Sequence, residues 1–467
     1  MEVMQSIKIK ILALAAILGL FSCQEEFLEL EPFQSVDLES AIETIDGYKA
    51  AVLGTYSGMQ SSNYYGRYFV LVPDVMSDNV KQNSQANRAA LQSDFNVVAN
   101  DGIVSGMWNT IYNVIARANT VINADAEIPD AVADERDQLV GEAYTIRALA
   151  HFDLVRIYAQ HYGYTADNSH EGVPVVTVFD KDARPRRNTV AEVYSQVVSD
   201  LNQAISLLNM DVGSTRISQN AAKALLARVY LYMGDYAMAK SLATQVIDSG
   251  DYELLSNSNY AAAWSSGGSS ETIFEIAFNE VDNNGSDALG RMYIVQGYGD
   301  YLPSGDLLAL IPEGDARWGL FKEDPNLSGD YGTVRVDKYP NPSVQNNTPV
   351  IRLSEVYLIR AEANARTNDE DAARADLDVI RMRGLPTAEA TTATGDALID
   401  AILTERRIEL MFEGQRLWDL MRTKQDLVRN NCTNSTCELA YPSDRFISPI
   451  PQSELDANEN MTQNPSY

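Results

Sequence analysis

A chain of 467 residues, 45% of them hydrophobic, is long enough to bury a large core in one body or two. Its formal charge of −29 repels nucleic acid and anionic lipid headgroups, so neither is an expected partner surface. Neutral molecules and cations remain as ligands.

Lys8 and Lys10 precede an apolar run from Ile11 to Phe21. A charged start and a short apolar stretch make residues 1–22 an export signal, since the run is too short to span a bilayer. The run ends Leu20-Phe21-Ser22-Cys23. Leu three positions before a cysteine, with a small residue directly before it, is the pattern cut by a lipoprotein signal peptidase. Cys23 is therefore expected to carry the lipid, although Phe21 is bulkier than its position usually holds. The alternative is an ordinary secretory peptide with an incidental cysteine. Gln24-Glu25-Glu26 sets acidic residues beside the lipid, as in surface-exposed lipoproteins of some Gram-negative groups. The expected location is the outer membrane, lipid-anchored and facing outward.

Residues 24–40 read as an extended polar tether, and Ala41 to Gly58 as an amphipathic helix. Residues 60–106 mix Asn, Ser, Gly and Tyr and read as loops. Trp108, Ile111, Tyr112, Ile115, Asn119 and Ile122 then recur at helical spacing. Asp134 to Gln160 forms a helix that is apolar on nearly all sides, which predicts a buried one. Gly163, Gly172, Pro174 and Pro185 break the pattern over 162–188. Helices return at Thr189–Leu208 and Gln219–Ser249. Residues 250–349 are rich in Gly, Ser, Asn and Tyr, with one strand-like run, Thr272 to Phe278. The last helices cover Arg352–Arg383 and Asp396–Arg429, before a loop-rich tail.

Two segments share one set of offsets. Ala227, Tyr230, Gly234-Asp235-Tyr236, Ala239, Ala243 and Val246 match Ala361, Asn364, Asn368-Asp369, Ala373, Leu377 and Ile380. Small residues where helices cross, with a tight turn between, are the mark of tetratricopeptide-like helix pairs.

Catalytic motifs are not found. No HExxH, GxSxG or phosphate-loop pattern occurs. Of the three histidines, His151 falls in the buried helix and reads as core, and His170 has no partner at metal-ligand spacing. With 65 acidic residues, carboxylate pairs arise by chance. Glu280-Val281-Asp282-Asn283-Asn284-Gly285 opens like a calcium loop, but Arg291 stands where the closing Glu belongs, so it reads as a polar turn. Cys432 and Cys437, close together in a polar loop of an exported protein, are expected to form a disulfide; a zinc site would lack its other ligands. No metal, no cofactor and no enzymatic activity are expected.

Tyrosines in loops are the positive signal. A loop Tyr offers a flat apolar face and a hydroxyl, suited to sugar rings and to extended peptides. Asn, Asp, Gln and Arg supply forked partners for hydroxyl groups. The candidate ligand residues are Tyr64, Tyr65, Arg67, Tyr68, Asp78, Asn79 and Gln82, with Trp264, Tyr293, Tyr298 and Tyr301 from the later region. The alternative is that these rings pack the long loops onto the core.

The assembled blocks resemble one family. They are Phe27-Leu28-Glu29-Leu30-Glu31-Pro32 after the lipid cysteine, Arg147 to Val155, where the family usually has an aromatic at the His151 place, and Gly172-Val173-Pro174-Val175. Further on come Ile351 to Ala363, Glu405 to Leu410, Glu413-Gly414-Gln415-Arg416-Leu417-Trp418-Asp419-Leu420, Pro449 to Leu455, Asn458 and Gln463 to Tyr467. In this order they resemble the SusD/RagB nutrient-binding lipoproteins of the outer membrane. The resemblance implies a mainly α, SusD-like fold, with helix pairs carrying a loop-rich, partly β binding region. Residues 23–467 would form a single body: 23–250 helical with binding loops, 251–350 loop-rich, 351–467 helical with a tail. It implies an oligosaccharide ligand, or a peptide in some members, delivered to a SusC-like TonB-dependent transporter. A surface glycan-degrading enzyme and a pure assembly scaffold are the rival readings. The resemblance carries over Cys23 alone, because the family's binding loops share no motif; the helix and tail blocks are read as scaffold and docking.

Overall fold

The computed structural model describes residues 42–467 apart from 179, 181 and 342–344. The export signal, Cys23 and the Phe27–Pro32 segment lie outside the described residues. Helices α1 (Ile45–Met59), α2 (Tyr68–Val75), α3 (Gly102–Ile122), α4 (Ala133–Tyr158), α5 (Val190–Leu207), α6 (Gln219–Met233) and α7 (Tyr236–Asp248) form the first part of the chain. Helices α8 (Leu353–Arg366), α9 (Glu370–Gly384), α10 (Gly395–Glu409) and α11 (Arg416–Arg422) form the last. Five of these helices, α1, α3, α5, α6 and α7, start where a side chain satisfies a free N–H group. Asp101 accepts from Ile103 and Val104 at the head of α3, and Thr189 and Glu192 make a reciprocal capping box at α5.

The helices stack side by side. α4 lies between α3 and α5 and also touches α1, so every residue from Thr145 to Tyr158 is buried. The stack continues through α6, α7, α8 and α9, with α10 against α8. α6–α7 and α8–α9 are the two repeat units. Their turns both need a left-handed residue: Gly234 has φ +75 and Asn368 φ +62, positions that glycine and asparagine tolerate. Ala227, Ala239, Ala361 and Ala373 are fully buried where the helices meet. The mainly α, tetratricopeptide-like architecture is as expected.

Short antiparallel pairs lace the segments between the helices. β1 (Val80–Gln82) pairs with β3 (Tyr301–Pro303), and β2 (Thr272–Ile276) with β6 (Thr348–Arg352). β4 (Phe321–Glu323) pairs with β5 (Val334–Val336), and β7 (Leu427–Val428) with β8 (Glu438–Leu439). Two expectations need correcting. Residues 60–106 are not all loop, since they hold α2, β1 and the start of α3. The helix expected over 396–429 stops at Glu409; Phe412 and Gly414 both take positive φ in a turn before α11. A Cβ on Gly414 would sit 2.9 Å from the Val70 carbonyl oxygen, so the turn packs tightly on α2.

The C-terminal sequence blocks turn inward. Arg352 bridges Glu271, Glu409 and Glu413; Arg228 pairs with Glu355 at 2.6 Å, Arg406 with Asp419 at 2.9 Å and Arg422 with Glu362 at 2.7 Å. All of these side chains are at most 6% exposed. Replacing such a network by apolar residues can be neutral, but removing one partner strands a buried charge and costs several kcal/mol, on the order of 3–5. The tail pins the end of α4: Asn464 donates to the Tyr158 and Ser448 carbonyls, and Ser448 N–H to Ile157. Cys432 and Cys437 are joined, with Cα atoms 5.7 Å apart. Among the described residues no helix is long and apolar enough to cross a membrane.

Candidate ligand-binding site

The β1–β3 pairing brings the two candidate segments together. Gln82 lies opposite Tyr301, the Asn83 N–H donates to the Asp300 carbonyl, and the Asn83 amide to Gly299. Gly299 is required here: its φ is +58, and a Cβ would fall 2.2 Å from the Arg335 guanidinium that donates to its carbonyl. The N–H groups of Tyr298 and Gly299 both donate to the Arg291 carbonyl. This closes a loop and sets the Tyr298 ring beside the Arg291 side chain.

The exposed surface at this seam is an arginine–tyrosine cluster. Tyr298 is 37% exposed, with the Arg88 guanidinium 3.4 Å and that of Arg291 5.3 Å from its ring centre. Arg88 is held by Asp300 at 3.1 Å and by Tyr301, whose hydroxyl donates to the Arg88 carbonyl at 2.7 Å. Half-buried Tyr68 has the Arg67 guanidinium 4.1 Å from its ring centre, and Arg67 pairs with Asp287 at 2.6 Å. Burial lifts the Tyr68 hydroxyl above its usual range, Arg67 and Arg88 pull it down, and Asp287 and Asp101 push it up. These groups therefore share one electrostatic neighbourhood.

The other expected ligand residues are placed elsewhere. Tyr64 and Tyr65 are buried and donate to Asp153 at 2.6 and 3.0 Å. Tyr293 and Tyr301 are fully buried. Tyr293 packs on Phe412, and burial raises its hydroxyl well above the normal range. Asp78 and Asn79 are interior as well: Arg416 and Arg407 pair with Asp78, and Arg407 donates to the Asn79 amide oxygen. Burial alone would raise the Asp78 carboxyl, but Arg416 and Arg407 hold it below the usual carboxylate range. In this conformation these side chains offer no open ring face or rim donor to a ligand. Loop tyrosines were expected at the surface because a strand-poor region shows no core in sequence; here the core reaches under the loops. Trp264 is half-buried and its ring lies against Lys338, Tyr260 and Tyr339. Arg67 is buried and its guanidinium covers the Tyr68 ring, and Gln82 is half-buried, with an amide nitrogen that finds no partner among the described residues.

Arg88, Asp287, Arg291 and Asp300 escaped the sequence reading. The signal was available as cations inside Asn- and Gly-rich loops of an acidic chain, but Arg291 registered only as the residue that spoils a calcium loop. Residues 279–285 are a polar turn in which Asn279 accepts from the Val281 and Asp282 N–H groups. Among the described residues no three His, Cys, Asp or Glu side chains are grouped to hold a metal. His151 is buried, with Nδ1 against the Arg147 carbonyl and Nε2 accepting from the Val176 N–H.

Comparison with known proteins adds the family. The SusD family profile matches residues 336–467, and the profile described as "Starch-binding associating with outer membrane" matches residues 26–231. SusD-like protein P38 of Formosa agariphila is 26% identical, with 100% of each chain covered. The starch-binding protein SusD of Bacteroides thetaiotaomicron is 33% identical over 149 residues, 30% of this chain and 25% of that one. The crystal structure of a SusD superfamily protein from Bacteroides thetaiotaomicron superposes with a TM-score of 0.82, at 30% identity, covering 90% of this chain and 100% of the other. With the helix-pair stack and the C-terminal blocks in place, the chain belongs to the SusD superfamily.

Proposed function

We propose that this protein is a glycan-binding lipoprotein of the outer membrane, and not an enzyme, which takes up oligosaccharide at the Tyr68–Arg88–Tyr298 face and passes it to a SusC-like TonB-dependent transporter. The observation that carries the reading is the convergence of two distant loop segments on one exposed aromatic and forked-donor surface, built on the scaffold of a family whose relatives include a starch-binding protein. Tyr68 and Tyr298 supply ring surface, while Arg88 and the Asn83 amide supply donors for hydroxyl groups. Lipidation at Cys23 would hold the protein beside its transporter, so that modest affinity suffices for capture and release. A screen of the purified protein against glycan and peptide libraries tests the ligand. Purification from the native membrane tests the partner. Glycan binding that falls at least five-fold in Tyr68→Ala and Tyr298→Ala, with a co-purifying TonB-dependent barrel, is the expected result. Preferred binding of peptides, or unchanged affinity in both variants, would overturn the reading.

A further inference from the structure

We infer that the ligand carries acidic groups, carboxylate or sulfate, and that Arg291 with Arg88 recognises them. This rests on the site proposed above and deepens it.

Arg291 is the starting point. Among the described residues it makes no side-chain hydrogen bond and no ion pair; its guanidinium lies 5.3 Å from the Tyr298 ring centre, and its Nε is sealed from water without a partner, while the two terminal nitrogens stay open to solvent. Other half-buried arginines at this seam are compensated, Arg88 by Asp300 and Arg335 by Asp324. Withdrawing a guanidinium from water without a counter-charge is unfavourable, and an anion arriving from outside would supply the missing partner.

Tyr298 points the same way. A guanidinium 3.4 Å from its ring centre occupies one face of the ring, so that face cannot stack a sugar. On that side the ring backs a cation whose remaining N–H groups can reach outward, and Arg88 keeps about a third of its side chain exposed, 32%. A guanidinium donates two parallel hydrogen bonds to a carboxylate or sulfate, the geometry that favours arginine over lysine for such groups. Arg67, Arg88 and Arg291 stand among Asp287, Asp300 and Asp101, so the patch is balanced where the chain as a whole carries −29. The chain-wide negative excess that argues against anionic partners is thus absent at this patch, where an acidic glycan meets less repulsion.

The test uses the full-length chain in detergent and titration calorimetry at low and high salt. The probes are an oligogalacturonide with its methyl-esterified neutral counterpart, and a sulfated galactan oligosaccharide with its desulfated form. The wild type should bind an acidic member about ten-fold or more tightly than its neutral match, less so in high salt; which pair shows the preference separates carboxylate from sulfate. Arg291→Gln should lower the acidic-to-neutral ratio at least three-fold, and Arg291→Lys should restore it in part. Tyr68→Ala should weaken both members equally. An unchanged ratio in Arg291→Gln, equal binding of acidic and neutral members, or no binding of either acidic series overturns the inference. If the ratio fails but Tyr68→Ala still weakens a bound glycan, the site stands with a neutral ligand. If neither substitution alters a glycan that does bind, the site itself is refuted.

Discussion

Replacing Tyr64 or Tyr65 by Phe should destabilise the protein and leave its ligand affinity intact. Both hydroxyls donate to Oδ2 of Asp153, at 2.6 and 3.0 Å, while Oδ1 takes Arg156 at 2.5 Å. Asp153 is fully buried, and burial raises its carboxyl above the usual range even though Arg156 and both tyrosines favour the charged form. A hydrogen bond to a charged group contributes about 1.5–3 kcal/mol, so Tyr64→Phe should cost about 2 kcal/mol and Tyr65→Phe, with the longer bond, rather less. Ring packing survives both changes, since Tyr64, Tyr65 and Phe69 lie within 5.5 Å of one another centre to centre. The double variant leaves Oδ2 with no donor. Its loss should exceed the sum of the single losses by about 1 kcal/mol or more, because an unpaired buried oxygen carries the full desolvation penalty. Urea denaturation followed by tryptophan fluorescence gives the stability, and isotherms on the folded variants give the affinity. Stability losses under about 0.5 kcal/mol, or affinity lost at unchanged stability, would show that these hydroxyls face the ligand.

His151 should make the protein acid-sensitive. Burial lowers its pKa to about 4, below an unfolded value of 6.5, so the unfolded chain binds the extra proton and stability falls as pH drops from 6.5 to 4, by up to ~3 kcal/mol. His161, also lowered to about 4, adds to this, and His151→Phe should lose less than wild type over that window in denaturation at pH 7 and pH 4.5. An equally steep acid loss in that variant would remove His151 from the account. The Cys432–Cys437 bridge closes a short loop, so the double Ser variant should unfold ~2 kcal/mol more easily, and a thiol assay without reductant should find both sulfurs blocked. Cys23→Ala should leave the precursor unlipidated and free of the membrane in high salt; lipid labelling that persists in this variant would refute Cys23 as the anchor.

What could be read in the sequence was whatever repeats locally. α4 showed its burial through apolar residues on every side, and the two helix pairs through matched alanines around a Gly or Asn turn. α2 was missed because Pro73 lies within it and because seven of its eight residues are buried, which gives no amphipathic pattern. The break after α10 was missed because apolar spacing continues across it, while the turn is imposed by Gly414 against Val70. The proposed binding face was half legible. Tyr68 and Tyr298 could be named, but β1 and β3 are three residues each and pair across more than two hundred positions, so no local signal tells which ring faces out. The burial of Tyr64 and Tyr65 depends on Asp153, a helical residue far along the chain.

The C-terminal blocks, expected to serve as scaffold and docking, hold the proposed binding loops from within. Residues 76–79 are irregular and buried, so their backbone carbonyls cannot turn to water and need internal donors. Arginines from the C-terminal part supply them. Arg407 donates to the Asp78 carbonyl and the Asn79 side chain, Arg416 grips the Asp78 carboxylate, and Arg429 donates to the carbonyls of Val75, Ser77 and Ser93. Ser304, directly after β3, donates to Asp78 and Asn79 from the other side. Burial presses the Arg407 and Arg429 pKa values down to about 10, still far above physiological pH, so both stay charged and keep their forks. A lysine presents a single point of charge and could not serve carbonyls in several directions at once. The segment fixed in this way leads straight into β1 and on to Arg88. Rigid support beneath a loop lowers the ordering cost of binding, whatever side chains the loop presents above it. A fold built like this can keep its interior arginines while its outward residues change with the ligand, which accounts for sequence blocks that identify the family and reveal nothing of what it binds.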